Sequence, residues 1–119
     1  MCDNILSIII VSKGVEKMIR HIVMWKFADE AMGKTREENL DLVAEKLMAL
    51  FKSGKVAGLR RMEIGKDVGR TDMSYDMVLV TEFDSMEALK AYKVFPDHVA
   101  ISQYVKQVRT ARATVDCEI

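Results

Sequence analysis

Cysteine, proline and histidine are scarce in this 119-residue chain, which has two, one and two of them. Cys2 and Cys117 lie near opposite ends without C-x-x-C spacing, so they support neither a disulfide framework nor a zinc site. A reducing cytoplasm is the expected location. Excess charge of either sign is also lacking: eighteen basic residues balance eighteen acidic ones, with a pI near 6.7. That balance leaves no electrostatic footprint for nucleic acid or an anionic membrane surface. No apolar run is long enough to span a bilayer. The longest, Ile5 to Val11, is broken by Ser7, and Asp3 stands where a signal peptide would carry positive charge. What remains is 50% hydrophobic and 30% charged, the composition of one globular domain with a single core and no repeat or linker.

The pattern along the chain alternates between two periods. Ile19 to Phe27 is rich in β-branched and aromatic residues and reads as a strand. Thr35 with Glu38 forms a capping box, and Leu40, Val43, Ala44, Leu47, Leu50 and Phe51 recur at helical spacing until Ser53-Gly54. Leu59 to Gly65 is a second strand, residues 66–74 a turn, and Tyr75 to Phe83 a third strand. Asp84-Ser85 caps a short helix through Tyr92, and Pro96 opens another that runs to about Arg109. Ala111, Ala113, Val115 and Cys117 alternate with polar residues, giving a half-buried last strand.

The order β-α-β-β-α-β predicts an α+β fold, a ferredoxin-like sandwich with an antiparallel sheet whose first and third strands are central and whose helices share one face. Both faces of both central strands are apolar: His21, Val23, Trp25 and Phe27 point one way, Ile22 and Met24 the other, and Tyr75, Met77, Leu79 and Phe83 oppose Val78 and Val80. Helices cover one face only, so a second sheet from an identical subunit is expected over the other. The competing arrangement is a flatter monomer whose residues 1–17 cover that face.

Both histidines fall at interior positions. Pro96 at the first helical position puts His98 in the first turn, where unpaired N–H groups and the helix dipole disfavour an imidazolium. A neutral His98 can accept a proton, and Tyr92 beside it can polarise a substrate oxygen. The competing reading is structural: His98 bonds a backbone carbonyl or the Tyr92 hydroxyl, and His21 is a satisfied core histidine. Two histidines without a carboxylate at matching spacing make a poor metal site, and neither metal nor cofactor is expected.

Residues 18–27, then Tyr75-Asp76 opening a strand that ends at Phe83, Ala88-Leu89-Lys90-Ala91-Tyr92, Pro96-Asp97-His98-Val99 and the closing Val115-Asp116 together resemble the stress-responsive A/B barrel (Dabb) family over residues 18–119. The resemblance implies a dimeric α+β barrel with a small-molecule cavity between sheet and helices. In its polyketide-cyclising members histidines and a tyrosine of the cavity carry the chemistry, which implies His21, Tyr92 and His98 here. The aromatic helix residues that shape the polyketide pocket have no counterparts in Asn39 to Phe51. Three function classes follow: a cofactor-free cyclase, lyase or isomerase; a ligand-binding or stress-response module without turnover; and a cofactor-independent monooxygenase. Residues 1–17 precede the matched region and read as a translated leader with Met18 as the natural start, since the codons of Lys13-Gly14-Val15 can carry a ribosome-binding sequence. The alternative is that Ile5 to Val11 adds a strand.

Overall fold

Alternating burial along Ile19–Phe27 sets the architecture. In the computed structural model, which describes residues 17–119, this segment is strand β1, and its odd-numbered residues lie under the helices while the even-numbered ones lie on the opposite face. The chain continues through the short strands β2 (Glu30–Ala31) and β3 (Lys34–Thr35), helix α1 (Arg36–Lys52), β4 (Leu59–Lys66) and β5 (Met77–Phe83). Helices α2 (Met86–Lys93) and α3 (Pro96–Val108) follow, and then strand β6 (Arg109–Glu118). The sheet order is β4-β5-β1-β6, antiparallel throughout, so β1 and β5 are central as expected. This is the ferredoxin-like α+β sandwich. The reading of Ile5 to Val11 as leader or extra strand lies outside the described residues.

Helix α1 begins and ends where its chemistry dictates. The Thr35 hydroxyl accepts from the Glu38 N–H at 3.2 Å, the Glu38 carboxylate accepts from the Thr35 N–H at 2.9 Å, and Gly54 at φ +70° turns the chain away beyond Ser53. Its stripe of Leu40, Val43, Leu47 and Leu50 packs with Ile101, Val105 and Val108 of α3 against the covered face of the sheet, each large side chain contributing roughly 1.5–3 kcal/mol by leaving water. The hairpin β2–β3, absent from the sequence reading, turns through Met32 and Gly33, both at positive φ, as a two-residue connection with the twist of its strands requires. The buried Asn39 anchors it: its Nδ2 donates to the Ala31 carbonyl at 3.0 Å, and its Oδ1 accepts from the Tyr104 hydroxyl at 2.5 Å.

Two strands start away from the expected residue. β5 starts at Met77 rather than Tyr75, because Asp76 serves as a clasp: its N–H donates to the Trp25 carbonyl and its carboxylate accepts from the Phe27 N–H, both at 2.8 Å. β6 starts at Arg109, two residues early, and carries a bulge: Lys26 pairs with Ala111 but Phe27 pairs with Arg109, so Thr110 is the extra residue. Cys117 is disulfide-bonded, which corrects the reading of its thiol as unbridged; Cys2 lies outside the described residues. Among the described residues no helix is long and apolar enough to cross a membrane.

The face away from the helices is apolar at its centre. The register places Val115, Ile22 and Val80 in one row across β6, β1 and β5, and Ala113, Met24 and Val78 in the next. Met24 and Val115 are exposed there. Charged pairs flank the rows, Arg20 on Glu82 at 2.8 Å among them.

Candidate active site

Strand β1 and helix α3 bring the two histidines to one place. Alternation puts His21 on the covered face with Val23 and Trp25, and the helical period aligns His98, Ile101, Ser102 and Val105 along the side of α3 that faces the sheet. Between them lies a cavity of about 330 Å³, with His21 and His98 in its lining and an apolar wall that includes Val23, Trp25, Leu47 and Leu79. Its charged lining is Lys93, Lys106, Arg109 and Arg112.

His21 is oriented by a carboxylate. The β1–β6 register sets Asp116 directly opposite it, residues opposite one another in an antiparallel pair share a face, and the Asp116 carboxylate lies 2.5 Å from His21 Nδ1. The imidazole is 4% exposed. Burial lowers its pKa below the ordinary 6.5; the hydrogen bond and charge of Asp116 oppose this, Lys93 and Arg112 add to it, and the net direction is down. At pH 7 the ring is therefore neutral, with the Nδ1 proton donated to Asp116 and Nε2 left as a base.

His98 is held neutral as well. Burial is again the main cause; the Lys93 backbone pulls the pKa up, and His21, Arg112 and Lys93 push it down through their charges. The direction matches the expectation from its place in the first turn of α3, but burial, rather than the helix terminus, is the leading cause.

Tyr92 stands behind His98. Helix α2 turns it inward with Leu89, leaving it 1% exposed. Its ring centre is 4.0 Å from that of His98 and 5.0 Å from that of Phe83, which in turn lies 6.5 Å from His21. Tyr92 does not line the cavity, where the sequence reading placed it beside the substrate. Its hydroxyl and His98 Nδ1 are both buried with no hydrogen-bond partner, so the rings stack rather than bond, and burial pushes the phenol pKa up.

Asp116 and the four cations were not recognised as site residues from the sequence. The signal for Asp116 was the alternation of β6, which becomes informative only once its register against β1 is known. The cations come from α2, α3 and β6, at no spacing that forms a motif. Among the described residues no group of three or more His, Cys, Asp or Glu is placed to hold a metal ion.

Residues 19–119 match the model of the stress-responsive A/B barrel domain. The chain belongs to the stress-responsive A/B barrel family. Solved structures similar to this family member include a dimeric protein of unknown function from Bacteroides fragilis NCTC 9343, at 28% identity and TM-score 0.69, covering 86% of this chain and 96% of that one. A dimeric ferredoxin-like protein of unknown function from Thermobifida fusca YX is 23% identical, with TM-score 0.74 and 87% and 92% of the two chains covered. The hydroxynitrile lyase of Passiflora edulis is 13% identical, with TM-score 0.71 and coverage of 87% and 94%. At these identities the last two show the fold alone. No curated protein matches the sequence.

Proposed function

We propose that this family member performs acid/base chemistry on a small molecule in the cavity, in the lyase, cyclase or isomerase class. The observation that carries the reading is the pair of neutral imidazoles on one cavity, one of them held by a carboxylate. His21 Nε2 takes a proton from a substrate hydroxyl or carbon acid, and Asp116 stabilises the imidazolium that forms. His98, the second imidazole on the cavity, exchanges a proton with the substrate at the other end of the reacting group. In an elimination, the electron pair of the broken bond leaves with the departing group, and His21 returns its proton to that group. Tyr92 is a positioning residue in this scheme, fixing the His98 ring by stacking. The hydroxynitrile lyase among the similar folds shares the fold alone, and its reaction enters as one arm of the test.

The test is a panel of cyanohydrins, activated ketones and phenols under argon and in air. Mandelonitrile cleavage to benzaldehyde and hydrogen cyanide is one arm. Anaerobic turnover that is lost in His21→Gln and His98→Gln, with both variants folded, supports the reading. Oxygen consumption would point instead to a monooxygenase, and saturable binding without turnover to a binding module.

The same reading includes self-association through the open sheet face. An exposed apolar centre on a sheet calls for a cover, and the 28%-identical Bacteroides protein is dimeric. The interface would use Ile22, Met24, Val78 and Val80, leaving the cavity on the other side of the sheet.

A further inference from the structure

Charge is distributed unevenly around the cavity in a chain whose charges balance overall. Lys93, Lys106, Arg109 and Arg112 line it, and no carboxylate does. Asp116, at the His21 end, is engaged by His21 Nδ1 and lies 3.9 Å from the Lys93 ammonium. Elsewhere Arg20, Arg36, Arg60 and Arg61 each hold a carboxylate, whereas Arg109, Arg112 and Lys106 make no ion pair among the described residues.

The two arginines reach the cavity together through an irregularity in the strand. Residues three apart in a regular strand point to opposite faces. The bulge at Thr110 resets the alternation, so Arg109 opposite Phe27 and Arg112 opposite Trp25 both fall on the covered face. Lys106 and Ser102 approach from α3 and Lys93 from the end of α2. Cations drawn from three elements thus converge on a volume whose remaining lining is mainly apolar. A site of about 330 Å³ lies near the lower end of the roughly 300–1,000 Å³ range of ligand pockets, the scale of a single-ring molecule.

We propose that the cavity takes a small organic anion, a carboxylate or enolate on an apolar body, with the charge among Lys93, Lys106, Arg109 and Arg112 and the body against Trp25, Leu47 and Leu79. Guanidinium groups pair carboxylates in fork geometry, and the apolar wall accounts for the rest of the molecule. The inference rests on the proposed acid/base site and names its substrate class. It also gives the ligand a further effect: an anion offsets the repulsion that Lys93 and Arg112 exert on the protonated form of both imidazoles.

Phenylacetate and its neutral isostere phenylacetamide distinguish charge from shape. Titrated into the full chain and followed by the His21 and His98 ring resonances, phenylacetate should saturate and bind at least tenfold tighter than the amide, with the preference shrinking as salt is raised. Arg112→Gln should weaken phenylacetate about tenfold and leave the amide unchanged. Lys106→Gln, on an exposed helix position, gives the same reading in smaller degree if the strand variant fails to fold. Equal affinity for acid and amide, or phenylacetate binding that leaves both ring signals unmoved, overturns the anion assignment. Anaerobic turnover of neutral substrates with His21 and His98 still required would leave the acid/base reading standing while the anion assignment falls.

Discussion

Replacing Tyr92 by phenylalanine should stabilise the protein, against the usual direction for a change in a closely packed core. The Tyr92 hydroxyl is buried without a partner, and a desolvated, unbonded hydroxyl costs about 1–3 kcal/mol. Tyr92→Phe removes that cost and keeps the ring, so the stacking on His98 at 4.0 Å and Phe83 at 5.0 Å is retained. The oxygen also makes van der Waals contacts worth about 0.1–0.2 kcal/mol each, so deleting it forfeits up to about 1 kcal/mol. The net expectation is about 1 kcal/mol of added stability. In urea, with a slope of about 2 kcal/mol per molar, the midpoint should rise by about 0.5 M, and Tm should rise by about 4 °C. Turnover, once a substrate is in hand, should fall less than in His98→Gln, because the phenol does not line the cavity. A loss of about 1 kcal/mol or more on Tyr92→Phe, with an unchanged urea slope, would refute the reasoning and show that the hydroxyl is hydrogen-bonded.

Stability should also depend on pH through the two histidines. Both have folded-state pKa values below the ordinary 6.5, so the unfolded chain binds more protons as pH falls through that value; the stability held at neutral pH declines below about pH 6.5, and His98→Gln should flatten that decline in urea midpoints measured from pH 7.5 to 5.5. Val80→Lys places a charge at the centre of the open sheet face and should convert a dimer to a monomer in light scattering; a wild-type monomer at micromolar concentration would defeat the dimer proposal. Gly58→Ala should destabilise by about 2 kcal/mol or more, since Gly58 sits at φ +80° and an added Cβ would lie 2.7 Å from that of Ala88; a denaturation midpoint equal to wild type would contradict it.

The elements that could be read from the sequence are those specified by local chemistry. β1 and α1 have the expected bounds because a β-branched run, a capping box and a terminal glycine act within a few residues. The β2–β3 hairpin escaped notice since two-residue strands offer no alternation, and its stability comes from Asn39, eight residues beyond Ala31. Asp76 was included in a strand because its role as a clasp depends on Trp25 and Phe27, far away in sequence. The site divides in the same way. His21 and His98 were visible as rare polar residues at interior positions, but the His21–Asp116 pair needs the register of two strands 95 residues apart. Tyr92 carried a local signal: it lies three residues after Leu89, on the buried stripe of α2, and that spacing turns it toward the core.

Strand β1 answers to two demands at once. Its odd-numbered residues, Ile19, His21, Val23, Trp25 and Phe27, meet the core and cavity, and its even-numbered ones, Arg20, Ile22, Met24 and Lys26, lie on the open face, the proposed seat of a second subunit. Nine consecutive codons are therefore under two interleaved selective pressures, separated by the thickness of one backbone. Tolerance to substitution should oscillate with a period of two, and the phase should depend on the screen: one for ligand turnover marks the odd positions, and one for subunit association marks the even ones. An inserted or deleted residue would invert that pattern, so length in this segment should be more tightly constrained than the identity of any side chain in it.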